Sequence, residues 1–254
     1  MSASTIFSED FSFLNGPHGK IATVAVNFHP GNKARLILAH GFSASASMVE
    51  HAKLFTELAL KAASELDIGV LMFDFTGNGL SDGYFNEMTP NGRIHEASFL
   101  IDHLASAYDG PIFLLGLSMG GAVSVHTASR RAERLSGLIT WSCVPSFDPS
   151  VPSAHWYPAV ANPAHCESPG PAFYTDRPER SIADVYTSLS LPKLQIQGDE
   201  DFVFFAEEFK PFFEQAQEPK KLILLKGGDH VFTSREVRTR VLTETIAWLK
   251  ERLA

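Results

Sequence analysis

The segment Gly116-Leu117-Ser118-Met119-Gly120 has the pattern G-x-S-x-G. It follows the apolar run Pro111–Leu117 and precedes Ala122, Val123, Val125 and Ala128, which suit a helix. A serine at so sharp a strand-to-helix turn needs small residues on both sides. In return its hydroxyl stands clear of the sheet, above a helix N-terminus whose dipole favours negative charge. That chemistry is nucleophilic attack. A hydroxyl is a poor nucleophile until a base takes its proton, and the base needs a third group to orient it. The chain has 10 histidines to choose from. Carboxylates crowd one place in particular, Asp199-Glu200-Asp201, just after the apolar stretch Leu191–Gln197.

The surrounding pattern supplies the scaffold. β-rich runs occur at Lys20–His29, Ala34–His40, Ile68–Phe75, Pro111–Leu117, Leu135–Cys143, Leu191–Gln197 and Lys220–Lys226. Several are almost continuously apolar, as strands are when helices cover both faces of a parallel sheet. Between them lie amphipathic stripes: Met48, Ala52, Phe55, Ala59, Ala62, then Ile94, Ala97, Ile101, Leu104, and finally Leu242, Ile246, Leu249, Leu253. Ser47 with Glu50 forms a capping box for the first helix. The alternation predicts a doubly wound α/β sheet. The first two strands have no helix between them. A turn at Asn15-Gly16 predicts an antiparallel hairpin at one edge of the sheet.

Pro145 to Pro178 breaks the rhythm, holding eight of the 15 prolines. Proline blocks helix interiors and central strands, so this is an irregular excursion, and a functional lid is the reading such a length invites. The expected organisation is a core from 1–144 and 191–254 around a small cap at 145–190. Trp156, Tyr157, Phe173 and Tyr174 could line a pocket from the cap, or pack on one another. Phe202, Phe204 and Phe205 could line it too, or belong to the core.

The 254 residues are 44% hydrophobic and 20% charged, an ordinary globular composition. A net charge of −8 argues against nucleic acid as a partner. The two cysteines, Cys143 and Cys166, are too few for a disulfide framework or a cysteine-rich zinc site, and reduced thiols are the expectation. No run approaches the roughly 20 apolar residues of a membrane span. The opening residues do not read as a secretory signal, which makes a cytoplasmic protein the expectation. No spacing suggests a metal site, and no cofactor is expected.

The ordered set of motifs resembles the α/β-hydrolase superfamily along almost the whole chain. The set comprises His40-Gly41-Phe42, Asp74-Phe75-Thr76-Gly77-Asn78-Gly79-Leu80-Ser81, the Ser118 elbow, an insertion, an acid after a late strand and a late histidine. Its fold is an α/β-hydrolase fold, a mostly parallel sheet of about eight strands with a short cap insertion. The resemblance is nearest to the serine aminopeptidase-like and cinnamoyl (feruloyl) esterase-like branch. The superfamily order of serine, acid, histidine points to His230 after Lys220–Lys226 as the base. His126 falls on the helix beyond the elbow, and His155 and His165 lie in the excursion. The family's spacing selects Asp201 as the acid over Asp199 and Glu200. The resemblance also implies oxyanion donors at the backbone N–H groups of Phe42 and Met119. His40 and the Asp74–Gly83 segment get structural roles.

The resemblance implies a serine hydrolase of carboxylic esters with small or medium acyl or aryl groups, acting through an acyl-enzyme on a small-molecule substrate. Amide or small-peptide hydrolysis remains open, with Glu167, Asp176, Glu179 or Asp184 as a cap carboxylate for a substrate ammonium. So do thioester hydrolysis and a ligand receptor on the same fold. Oligomeric state is not legible.

Overall fold

In the computed structural model, residues 8–42, 50–147, 169–201 and 203–254 are described, side chains of 50–52 and 203–208 excepted. The capping box at Ser47 and Glu50, Met48 and Ala52 lie outside the described side chains. So do Trp156, Tyr157, Phe202, Phe204, Phe205, His155, His165, Cys166 and Glu167.

Eight strands form one sheet: β1 (Glu9–Gly16), β2 (Gly19–Val26), β3 (Ala34–Ala39), β4 (Ile68–Phe73), β5 (Ile112–Leu117), β6 (Gly137–Trp141), β7 (Lys193–Gly198) and β8 (Lys220–Leu225). Their order is β1-β2-β4-β3-β5-β6-β7-β8. β1–β2 and β2–β4 pair antiparallel, and every later pairing is parallel. Among the described residues the α-helices are α1 (Glu50–Leu66), α2 (Pro90–Ala105), α3 (Met119–Arg130), α4 (Ala172–Thr175), α5 (Ile182–Ser188), α6 (Val203–Gln215) and α7 (Arg235–Arg252).

Strand alternation sorts the apolar residues into two cores. Ile37, Leu71 and Leu114 face one side with α2, α3 and α5. Leu36, Leu38, Val70, Phe113 and Leu115 face the other with α1 and α7. This two-sided burial is why the central strands read as unbroken apolar runs. The stripes behave as expected: Phe55, Ala59, Ala62, Ile94, Ala97, Ile101, Leu104, Leu242, Ile246 and Leu249 are buried, while Leu253 is half-buried.

The edge hairpin forms, but its turn is one step further on. Asn15 and Gly16 belong to β1, where Asn15 pairs with Lys20 and Gly16 with Gly19; Pro17 and His18 make the turn. Gly19 takes φ 137°, a region that L side chains avoid. The strand expected over Lys20–His29 stops at Val26, because Asn27 turns into the left-handed region at φ 57°. Of the stretch 145–190 expected as a cap, the described C-terminal part carries α4 and α5, and Ile182, Val185 and Tyr186 of α5 join the core around α3. Among the described residues, no helix is long and apolar enough to cross a membrane.

Candidate active site

Ser118 sits between β5 and α3 at φ 58°, ψ −122°. A non-glycine residue there carries about 1–3 kcal/mol of strain, which the surroundings must hold in place. They do so through its own peptide groups. The Ser118 N–H donates to the Trp141 carbonyl at 2.8 Å, and its carbonyl accepts from Gly121 at 2.9 Å and Val144 at 3.3 Å. Both flanking glycines are required by contact. A Cβ on Gly116 would collide with the Gly120 carbonyl, and one on Gly120 with the Ala39 and His40 carbonyls.

Two loops at the ends of β7 and β8 complete the arrangement. His230 Nε2 lies 2.8 Å from Ser118 Oγ, and His230 Nδ1 lies 2.8 Å from Asp201 Oδ1. An ionised carboxylate can only accept, so Nδ1 carries the proton and Nε2 offers its lone pair to the serine hydroxyl. The Asp201 side chain is almost fully buried, whereas that of His230 keeps 20% of its surface exposed. Ser118 itself retains 7%. Asp199 and Glu200 do other work: Asp199 Oδ1 accepts from the Gly227 N–H at 2.7 Å, and the Glu200 N–H donates to the Gly228 carbonyl at 2.9 Å. These contacts tie the Asp201 loop to the His230 loop.

The turn after β3 approaches Ser118 from the other side. A Cβ on Gly41 would sit 3.3 Å from the Ser118 Cβ. His40 is buried and accepts at Nε2 from the Phe75 N–H at 3.0 Å, so its Nδ1 carries the proton and donates to the Gly41 carbonyl at 2.8 Å. Arg93 of α2, 2% exposed, donates to the Phe42 carbonyl at 3.1 Å and to Asn78 Oδ1 at 2.6 Å, and reaches the Gly41 carbonyl at 3.5 Å. A trans peptide puts its N–H opposite its carbonyl. With the Gly41 carbonyl held by His40 and Arg93, the Phe42 N–H points away from both. The Met119 N–H is the first of α3 and has no partner within the helix.

The Asp74 segment meets this turn where the Phe75 N–H reaches His40, and it is itself held by local hydrogen bonds and by β2. Asp74 Oδ2 accepts from the Leu80 N–H at 3.0 Å. Ser81 Oγ donates to the Asp74 carbonyl at 2.6 Å and accepts from the Ala22 N–H at 2.8 Å. His126 is buried on α3 and stacks on Phe147, with ring centroids 5.9 Å apart. Burial, then the charges of Arg130 and Arg180, lower its pKa to about 4. Asp176 accepts from Thr89 Oγ1 at 2.7 Å and Asn91 Nδ2 at 2.8 Å, which fastens the excursion to the start of α2. Cys143 is a free, buried thiol.

Sequence reasoning missed Arg93 and the buried amides behind Asp201. A guanidinium beside the apolar stripe of α2 and the alternation Lys193-Leu194-Gln195-Ile196-Gln197 were the available signals. Each puts polar groups where a core face is expected.

The profile of the serine aminopeptidase, S33 family matches residues 30–165. YfhR of Escherichia coli (strain K12) is 25% identical over 203 residues, 80% of this chain and 65% of that protein. Human monoglyceride lipase is 31% identical over 109 residues, 42% of this chain and 34% of the lipase. The chain thus spans less than two thirds of the length of these relatives. Est1E from Butyrivibrio proteoclasticus, solved with ferulic acid bound, superposes with a TM-score of 0.76 at 18% identity, covering 95% of this chain and 99% of Est1E. That likeness speaks to the fold. With a matching profile over more than half its length, the chain belongs to the serine aminopeptidase, S33 family, and its fold is that of an α/β hydrolase.

Proposed function

We propose that the protein is a serine hydrolase of carboxylic esters with small or medium acyl or aryl groups. Ser118 is the nucleophile, His230 the base and Asp201 the acid that orients it. The backbone N–H groups of Phe42 and Met119 form the oxyanion hole. The observation that carries this reading is the continuous contact from Ser118 Oγ through His230 to Asp201, both links at 2.8 Å, on a strained elbow.

Each step follows from the placement of these groups. His230 Nε2 takes the hydroxyl proton as Ser118 Oγ attacks the ester carbonyl. Asp201 stays ionised and stabilises the imidazolium. Negative charge grows on the carbonyl oxygen, and preplaced N–H donors hold it without reorganising; losing one such donor costs about 10²–10³-fold in kcat. His230 then protonates the leaving alcohol, and the acyl group stays on Ser118. Water repeats the sequence and frees the acid.

The names of the relatives support an ester with an apolar acyl or aryl part, since one is a monoglyceride lipase and one fold neighbour holds ferulic acid. For an amide hydrolase of the aminopeptidase kind, one of the four candidate cap carboxylates, Asp176, is already engaged by Thr89 and Asn91. The test is turnover of p-nitrophenyl acetate, methyl ferulate and aminoacyl anilides. Hydrolysis of the esters in preference to the anilides, lost in Ser118→Ala, supports the proposal. Anilides turned over faster than either ester, or ester turnover intact in Ser118→Ala, contradicts it.

A further inference from the structure

Strand β7 buries polar groups on one of its faces. Leu194 and Ile196 enter the core beneath α7, while Lys193, Gln195 and Gln197 point to the opposite face and are at most 1% exposed. Lys193 escapes at the strand's start, where Nζ donates to the Gln217 carbonyl at 2.7 Å. The two glutamines have no such exit. A buried primary amide is costly unless its donors and acceptor are matched.

They are matched in a line. Gln197 Nε2 donates to Asp201 Oδ2. Gln195 Nε2 donates to Gln197 Oε1 at 2.9 Å. Thr140 Oγ1 of β6 bonds Gln195 Oε1. The acid fixes the direction of the whole chain. A carboxylate only accepts, so Gln197 must present its NH₂ to Asp201 and its carbonyl to Gln195. Gln195 must then turn its own NH₂ forward, which leaves its carbonyl to accept from the Thr140 hydroxyl.

We propose that Thr140, Gln195 and Gln197 are positioning residues, a one-way hydrogen-bond relay that locks the Asp201 carboxylate in the plane His230 requires. The proposal rests on the Ser118–His230–Asp201 reading above. Asp201 has one oxygen on His230 and the other on Gln197, so the carboxylate cannot turn about its last bond without losing both. Three aligned dipoles present their positive ends to it, and such chains strengthen one another. The relay therefore favours a proton that stays on His230 Nδ1 while Nε2 collects the one from Ser118.

Gln197→Leu keeps the bulk and removes the donor. Gln197→Glu is near-isosteric, and donates only when protonated. Each variant is compared with wild type in p-nitrophenyl acetate kinetics from pH 6 to 9, and in the downfield proton resonance of the His230 Nδ1–H. Thermal unfolding checks that each is folded.

With the relay, Gln197→Leu lowers kcat roughly 10- to 100-fold, less than the ~10⁴-fold of losing the acid's role, leaves KM within about twofold and shifts or broadens the resonance. Gln197→Glu outperforms Gln197→Leu by a larger factor at pH 6 than at pH 9. Should Gln197→Leu not fold, Thr140→Val at the far end carries the same test, with a kcat loss of a few fold. A folded variant with wild-type kcat and an unmoved resonance overturns the relay, as does a Glu-to-Leu activity ratio independent of pH. The resonance separates the two claims. If wild type and Ser118→Ala prove equally active, the catalytic reading fails, yet a resonance moved by Gln197→Leu still reports the relay.

Discussion

Gly198 and Gly228 lie backbone against backbone: a Cβ on Gly198 would strike the Gly228 carbonyl, and one on Gly228 would come within 2.8 Å of the Gly198 Cα. Gly198 ends β7 three residues before Asp201, and Gly228 lies two residues before His230. The separation of acid and imidazole is thus set by main-chain contact between two loops, with Asp199 and Glu200 pinning them from the side.

Gly198→Ala tests that contact. The neighbour is backbone, which cannot rotate away, so the loops must part. We expect a stability loss of about 1–3 kcal/mol from overpacking, and a larger proportional loss in kcat than in KM, because the 2.8 Å Asp201–His230 contact opens. Chemical denaturation and steady-state kinetics read both. Wild-type stability and kcat would show that the loops accommodate a methyl group.

Arg93→Met removes a buried cation that holds the Phe42 carbonyl and Asn78. Its guanidinium also lies 4.7 Å over the Phe75 ring, a contact that the thioether partly replaces. The turn after β3 then loses its clamp, and the Phe42 N–H its fixed direction. Turnover should fall by about tenfold or more, short of the ~10²–10³-fold for deleting an oxyanion donor outright, with KM nearly constant. A change confined to KM would argue that Arg93 acts on substrate binding alone.

His126 links stability to pH. Its folded pKa of about 4 lies below the ordinary value of 6.5. The unfolded chain therefore binds this proton first as pH falls. Stability is intact above pH 6.5 and declines from there towards pH 4, by about 3 kcal/mol at the lower end. His126→Phe keeps the stack on Phe147 and cannot titrate. The stability difference between wild type and variant should move in the variant's favour by that amount between pH 7 and pH 4. A difference that stays constant over this range would mean that His126 titrates normally.

Burial raises the pKa of the Cys143 thiol far above that of a free cysteine. Thiolate is the reactive form. In a Cys166→Ser background, iodoacetamide should leave the native protein unmodified for hours and label it quickly in denaturant. Rapid native labelling would place Cys143 within reach of solvent.

Much of this site was legible before any coordinates. G-x-S-x-G is a steric requirement, and Gly116 and Gly120 meet it by contact with the Gly120, Ala39 and His40 carbonyls. The helical stripes follow from burial on one side, and the apolar strands from burial on both. The choice among Asp199, Glu200 and Asp201 was not carried by composition, since three adjacent carboxylates are chemically alike and only the fold turns one of them towards His230. Arg93 and the glutamines were hidden for another reason: polar residues near an apolar stripe read as surface until partners such as Asn78, Thr140 and Asp201 arrive from distant segments. The hairpin turn was misplaced because Asn15-Gly16 has the composition of a turn. The pairing of Gly16 with Gly19 instead closes the hairpin around Pro17-His18.

The central claim is that Ser118 is the group that becomes acylated. The most direct measurement treats the native protein with a fluorophosphonate and maps the adduct by peptide mass spectrometry. We expect one phosphonyl group per chain, on the Ser118 hydroxyl, with labelling strongly slowed in His230→Gln. An adduct on another residue, or an unmodified Ser118 in protein that still hydrolyses p-nitrophenyl acetate, would contradict the account.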